Sequence, residues 1–172
     1  MVTDRTYRRS APSLSPAFNY THITYTTSMN RAYFTEAELD FLIRARVGRL
    51  ATADSAAQPH VIPVVFATDG RKLYMPVDEK PKRVRPRELK RVRNLLENPK
   101  VAFTVDQYDE DWTQLSWLMV RGNGTLVENG EAQITGVRLL QEKYAQYETM
   151  PLQDRPLIVI TPLDVTSWTF QE

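Results

Sequence analysis

Hydrophobic and polar positions along the chain repeat with two different periods, and the switches between them mark the elements. From Thr35 the period is helical, with Leu39, Leu42 and Ile43 on one face. Thr35 and Glu38 form a capping-box pair: the hydroxyl takes the amide three residues on, and the carboxylate returns to the cap amide. Gly48 either ends this helix or eases the chain into a strand. Strand patterns follow. Residues 48–52 are short and small, 53–58 make a turn around Asp54 and Ser55, and 59–67 are β-branched and apolar. Pro63 inside that run predicts an edge, a bulge or a break, because proline cannot donate to a ladder. Asp69-Gly70 predicts a hairpin into 72–77.

A second helical stripe runs through Leu89, Val92, Leu95 and Leu96. Pro86 suits its first turn, where a missing N–H costs nothing, and Asn98-Pro99 stops it. Residues 101–106 read as a strand with Val101, Phe103 and Val105 on one face. An acidic, aromatic loop at 107–114 leads into the longest strand, 115–127, where Gly122 and Gly124 suggest a bulge. After a turn at Asn129-Gly130, 132–144 is an amphipathic helix on Ile134, Val137, Leu140 and Tyr144. Residues 146–156 are an irregular loop. Two strands, 157–161 and 165–170, then flank Pro162-Leu163-Asp164. The tally is about six or seven strands and three helices. Hairpin-spaced strands with helices inserted singly predict a mainly β, α+β fold. The expected form is an antiparallel barrel with flanking helices, not a doubly wound parallel sheet. Residues 1–33 show no sustained period and are expected to be an extended or disordered arm, with 34–172 as the folded domain.

Composition narrows the function. The chain has 172 residues, 42% hydrophobic and 25% charged, which suits one soluble domain with a sizeable core. It has no cysteine, which removes disulfides and thiolate metal sites. With only His22 and His60, a histidine metal centre is not expected. No apolar run approaches the roughly 20 residues that span a bilayer, and no signal-peptide core is present, so the expectation is a cytoplasmic protein.

Charge is the informative departure. The net charge is only +1, yet Lys80, Lys82, Arg83, Arg85, Arg87, Lys90, Arg91 and Arg93 all fall in one stretch. That stretch leaves a strand, crosses a loop and enters the second helix, which makes it a candidate anion site. The plain alternative is a solvated helix face. No Ser-His-Asp or paired-carboxylate constellation accompanies it. Asp109, Glu110 and Asp111 are adjacent acids on a loop, and the expectation is a solvated cluster with no metal.

Several segments, in order, resemble the pyridoxamine 5'-phosphate oxidase-like split-barrel proteins. They are Arg49-Leu-Ala-Thr, Gln58-Pro-His-Val-Ile-Pro-Val-Val-Phe, Asp69-Gly-Arg-Lys-Leu-Tyr, Arg91-Val-Arg-Asn-Leu-Leu-Glu-Asn-Pro-Lys-Val-Ala and Val120-Arg-Gly-Asn-Gly-Thr. Lys80-Pro-Lys-Arg and Tyr108-Asp-Glu-Asp-Trp are similar, more narrowly, to the branch that uses the deazaflavin coenzyme F420. The resemblance covers residues 34–168. It implies a six-stranded antiparallel split β-barrel, assembled as a homodimer with FMN or coenzyme F420 at the interface.

The resemblance also implies roles. Arg91, with Lys90, stands where relatives hold the cofactor phosphate. His60, Val61, Ile62 and Pro63 stand along the flavin ring, with Tyr74 and Met75 beside it. Trp117 stands where a residue of the other subunit flanks the ring. The segment 78–87 is longer than in the shorter relatives, and Lys80, Lys82 and Arg83 within it are assigned to further anionic parts of cofactor or substrate. Read alone, His60 fits a strand histidine satisfied locally, and Tyr74 and Trp117 fit core aromatics as well as ring-stacking ones. The expected activity is hydride transfer between the cofactor and a small organic substrate, chemistry that the cofactor carries. The rival readings are a flavin-binding or sequestering protein without turnover and, last, a nucleic-acid-binding module on the same basic stretch.

Overall fold

The computed structural model describes residues 31–77 and 86–170. Among the described residues, three α-helices, α1 (Glu36–Arg44), α2 (Lys90–Glu97) and α3 (Glu131–Lys143), accompany seven strands. The strands are β1 (Gly48–Ala53), β2 (Pro59–Val64), β3 (Ala67–Thr68), β4 (Leu73–Pro76), β5 (Lys100–Gln107), β6 (Ser116–Val127) and β7 (Leu157–Thr169). They form one antiparallel sheet in the order β2-β1-β5-β6-β7-β4-β3.

The two edge strands, β2 and β3, are neighbours in the chain, separated only by Val65 and Phe66. Two residues reach at most about 11 Å between flanking Cα atoms. The sheet therefore curls until its edges meet at this corner, as a half-barrel. The corner accounts for seven strands where the family pattern implied six. The run read as one strand over 59–67 is broken at Val65-Phe66, and its end pairs with β4 as a separate two-residue strand. Conversely, the two strands expected after residue 156 are one, β7. It pairs with β6 throughout, and the irregularity is a register shift at Arg121/Gly122 opposite Asp164 and Pro162.

The inward face of the sheet holds Leu50, Leu73, Met75, Phe103, Val105, Leu118, Val120, Ile158 and Ile160, with Phe66 plugging the corner. Phe66 and Phe103 meet edge to face at 4.8 Å. A second layer lies outside β3, β4 and β7, where Val137, Leu140 and Tyr144 of α3 cover Tyr74, Leu157 and Val159. Gly136 allows that approach, since a Cβ there would stand 2.5 Å from Leu157 and 2.6 Å from Tyr74.

The helix stripes were only partly legible. Leu42, Val92, Leu95, Val137 and Leu140 are buried as the spacing predicts, but Ile43, Leu96 and Ile134 face solvent. Each is adjacent to a better-placed residue, Leu42, Leu95 or Gln133, and successive helical residues lie about 100° apart. Gly48 does not end α1. It opens β1 under the Phe103 ring, which a Cβ would meet at 2.1 Å. The hairpin at Asp69-Gly70 forms as expected, with Gly70 at φ +86 and Asp69 Oδ1 accepting from the amides of Arg71 and Lys72.

The capping box at Thr35 and Glu38 is present in both directions. Glu38 also accepts from Arg31 and from the Ser167 hydroxyl, tying the start of α1 to β7. Arg31 is itself half-buried there, and its carbonyl accepts from the Val165 amide, so packing begins before Phe34. Burial alone would raise the Glu38 pKa, but the hydrogen bonds from Arg31, Thr35 and Ser167 outweigh it and hold the carboxyl below its ordinary 4.5. A lowered folded pKa adds stability that is present above 4.5 and is lost as pH falls through the folded value. Glu38→Gln should cost about 2 kcal/mol in urea unfolding at neutral pH, because it leaves the half-buried Arg31 charge without its carboxylate partner. The variant should lose less stability than wild type on acidification below pH 4.5. Equal acid sensitivity would show that Glu38 is not the titrating tie.

Candidate functional site

Helix α2 buries Val92, Asn94 and Leu95, and Leu95 lies over Gly124, where a Cβ would stand 2.4 Å from it. This seats α2 across the end of the sheet and leaves Lys90, Arg91 and Arg93 away from the core. Three ties fix it to the β1–β2 hairpin. Lys90 Nζ donates to Asp54 Oδ2 at 2.7 Å. Glu97 Oε2 accepts from the Ser55 amide and hydroxyl, both at 3.1 Å. Asn94 Nδ2 donates to Thr52 Oγ1 at 3.1 Å in the buried interior. Asp54 also organises the turn itself, since its Oδ1 accepts from the amides of Ala56 and Gln58. The Lys90 hydrogen bond, with the Gln58 amide next, lowers the Asp54 pKa.

On the side of the sheet away from the core lies the outward face of β2, β1, β5, β6 and the second half of β7. Pairing places its residues in rows: Pro63, Arg49, Thr104, Met119, Thr166, and then Val61, Ala51, Ala102, Arg121, Asp164. Trp117 stands directly across from Trp168 on the same face. The middle of the face is small and weakly polar, and its rim carries two ion pairs, Arg49 with Asp106 and Arg121 with Asp164. Val61 remains 59% exposed. Among the described residues β2 is an edge strand, paired only with β1, so its outer side presents backbone groups to a ligand or a partner.

The expected site residues separate into three groups. Val61, Pro63 and Trp117 lie on the outward face, with His60 and Ile62 on the opposite side of the same edge strand, half-buried. Pro63 is accommodated because the strand is an edge. Lys90 and Arg91 lie at the first turn of α2, close to the hairpin that β2 completes. Lys90 is already paired with Asp54, and Arg91 is half-buried and engaged within the protein.

Tyr74 and Met75 are corrections. Met75 is 1% exposed inside the half-barrel, and Tyr74 is 2% exposed under α3. Tyr74 donates its hydroxyl to Asp69 Oδ2 at 2.7 Å, and burial first, with Asp69 next, pushes its pKa up. Their side chains cannot stack on a ring from this position, because β4 is covered on both faces. Lys80, Lys82 and Arg83 lie outside the described residues. In the acidic loop, Asp109 and Asp111 are used as local caps, with Asp111 Oδ1 accepting from the Thr113 amide and hydroxyl.

Sequence reasoning did not single out Asp54 or Glu97, although Asp54 was placed in the turn, and the helical period puts Asn94 off the apolar stripe, toward solvent or a ligand, whereas it is fully buried against Thr52. Their partners are about 36 to 42 residues away in sequence, and no local period carries such pairings. Trp168 is legible as the outward neighbour of Trp117 only once the β6–β7 register is known.

The donor set suits a phosphorylated planar cofactor. The edge of β2 offers backbone groups to a heteroaromatic ring, and the start of α2 offers cations to a phosphate. Asn94 Oδ1 is buried without a partner among the described residues, directly beneath that helix.

Comparison with known proteins finds the same fold elsewhere. A conserved hypothetical protein from Mycobacterium tuberculosis superposes with a TM-score of 0.65 at 24% identity, over 84% of this chain and 91% of that one. HutZ, the heme storage protein from Vibrio cholerae, gives 0.61 at 18% identity over 78% and 93%. An FAD-binding protein from Mycobacterium smegmatis gives 0.53 at 20% identity over 83% and 100%. At these identities the likeness is one of fold. No curated protein matches the sequence. Residues 34–169, well over half of the chain, match the family model described as pyridoxamine 5'-phosphate oxidase, and the chain belongs to that family.

Proposed function

We propose that this protein is a homodimeric oxidoreductase that holds a flavin-type cofactor, FMN or the deazaflavin coenzyme F420, against the outward face of β2 beside α2. The observation that carries this is the coincidence of an unpaired strand edge, an uncovered sheet face and the basic first turn of a helix. When bound, such a cofactor supplies hydride transfer to or from a small organic substrate. The chain's own residues supply position and electrostatics. Backbone along Val61–Val64 lines the ring, Arg91 meets the phosphate with donors beyond those it already uses, and Lys90 adds positive potential while it holds the hairpin. Lys80, Lys82 and Arg83 are assigned to the carboxylate tail that coenzyme F420 has and FMN lacks.

The second copy follows from the same face. An open sheet face of small and apolar residues, rimmed by Arg49–Asp106 and Arg121–Asp164, is what a monomer rarely leaves to water. Trp117 and Trp168 then lie where one subunit reaches the cofactor of the other. Localisation in the cytoplasm is part of the proposal; among the described residues no helix is long and apolar enough to cross a membrane.

A cofactor-carrying protein without turnover is the second reading. Among the described residues the outward face presents no acid–base or nucleophile constellation, and one structural neighbour is a heme storage protein. Steady-state turnover with reduced cofactor separates the two.

Titration of FMN and coenzyme F420 by fluorescence tests the cofactor. Arg91→Ala should weaken both about tenfold or more, the loss of a charge-assisted contact of roughly 1.5–3 kcal/mol. Changing Lys80, Lys82 and Arg83 together to alanine should weaken coenzyme F420 alone, by less and in a salt-sensitive way. Equal losses for both cofactors in the triple variant would remove the tail assignment and favour FMN. Sedimentation at micromolar concentration should give twice the 19.9 kDa chain mass. A monomer mass unchanged by cofactor would overturn the shared site.

A further inference from the structure

A cavity with a volume of about 420 Å³ lies between the end of α1, β3 and the end of α3. Ile43, Ala67 and Leu139 give it apolar walls, and Arg46, Glu142 and Lys143 give it polar ones. Glu142 is occupied, since it accepts from Arg138 at 2.7 Å within the same helix. The two cations are placed differently. Lys143 Nζ donates to the Leu42 carbonyl at 2.9 Å and stands 4.0 Å from the centroid of the Phe66 ring. Arg46 donates to the Lys143 carbonyl at 2.6 Å and lies over the Tyr144 ring at 4.4 Å. Each is held by a neutral carbonyl and an aromatic face, and neither has a carboxylate partner among the described residues.

Two adjacent cations without a counter-ion repel, and their remaining N–H donors are directed by rigid supports. Lys143 has used one of three donors and Arg46 one of five. The apolar walls beside them favour a ligand with a hydrocarbon body. We propose that this cavity is a second ligand site, separate from the cofactor face, that binds small carboxylates with an apolar body through Arg46 and Lys143. The volume falls in the usual range for small-molecule sites. The site does not depend on the cofactor assignment, since none of its residues lies on the outward face or on α2.

The site has a pH signature. Burial, with repulsion from Arg46 next, pulls the Lys143 pKa down to about 8. The titratable and charged groups around it are Arg46 from the segment after α1, and Glu142 and the Tyr144 phenol from its own end of α3. β3 contributes Ala67 and Thr68, neither of which titrates. A bound carboxylate favours the ammonium form and raises that pKa. Binding therefore takes up a proton above pH 8, so affinity is highest below that value and falls as pH rises through it.

Isothermal titration of the full chain with benzoate and hexanoate at pH 6.5, 7.5 and 9, with inorganic phosphate as comparator, tests the proposal. Saturable binding of the carboxylates at the two lower pH values is expected, with a loss approaching tenfold at the highest. Lys143→Met and Arg46→Met should each weaken binding at least tenfold. Lys143→Arg should retain binding and flatten the pH dependence, which also shows that position 143 tolerates change without unfolding. Absence of saturable binding at pH 6.5, affinity unchanged in Lys143→Met, or phosphate bound more tightly than either carboxylate would each overturn it.

Discussion

The structure depends on one short connection. Val65 and Phe66 join the two outermost strands of a seven-stranded sheet, so the sheet has to curl. A single phenol secures that corner. Tyr144 Oη accepts from the Phe66 amide at 3.1 Å and lies 2.9 Å from the Phe66 carbonyl and 2.8 Å from that of Arg46. Phe66 has no exposed surface, so its polar backbone has no water to fall back on. The aromatic side chain fills the inner core while its backbone is satisfied from α3 outside. One side chain thereby couples the core, the helix layer and the entry to β1.

Curling divides the outer surface unequally. α3 covers β3, β4 and the first half of β7, and its fit there requires Gly136. α2 covers only the end of β1 and β6. Among the described residues no helix covers the outward face of β2, β1, β5 and β6. Small residues in its middle and paired charges at its rim suit a flat partner, and the free edge of β2 suits a ligand with ring hydrogen-bonding groups. The division of cover, set by the corner, decides which part of the sheet α3 leaves open.

Much of the fold was legible because it is written locally. The capping box at Thr35, the stop at Asn98-Pro99, the Asp69-Gly70 hairpin and the alternation through Val101, Phe103 and Val105 each need only a few neighbouring residues. Pro63 marked an edge, a bulge or a break, and of these it is the edge that forms. What was misread needs distant partners. Nothing near residue 65 says that the chain changes sheet edge there, and Pro162 looks like a break until β6 is set beside it and absorbs the irregularity at Arg121/Gly122. Tyr74 and Met75 sit in a strand covered on both faces, which the alternation of one strand cannot reveal. The candidate site was legible as a basic helix next to an edge strand. That Lys90 is committed to Asp54 was not, because the pair joins residues 36 apart in sequence.

The central claim is that a flavin-type cofactor binds along the edge of β2 and the start of α2. Hydrogen–deuterium exchange, with and without saturating FMN or coenzyme F420, reads that claim residue by residue. The account predicts slower exchange at amides of 60–64, apart from Pro63, and in the first turn of α2, with α3 unchanged. Protection confined to α1 and α3, or no protection in β2 under saturating cofactor, would contradict it.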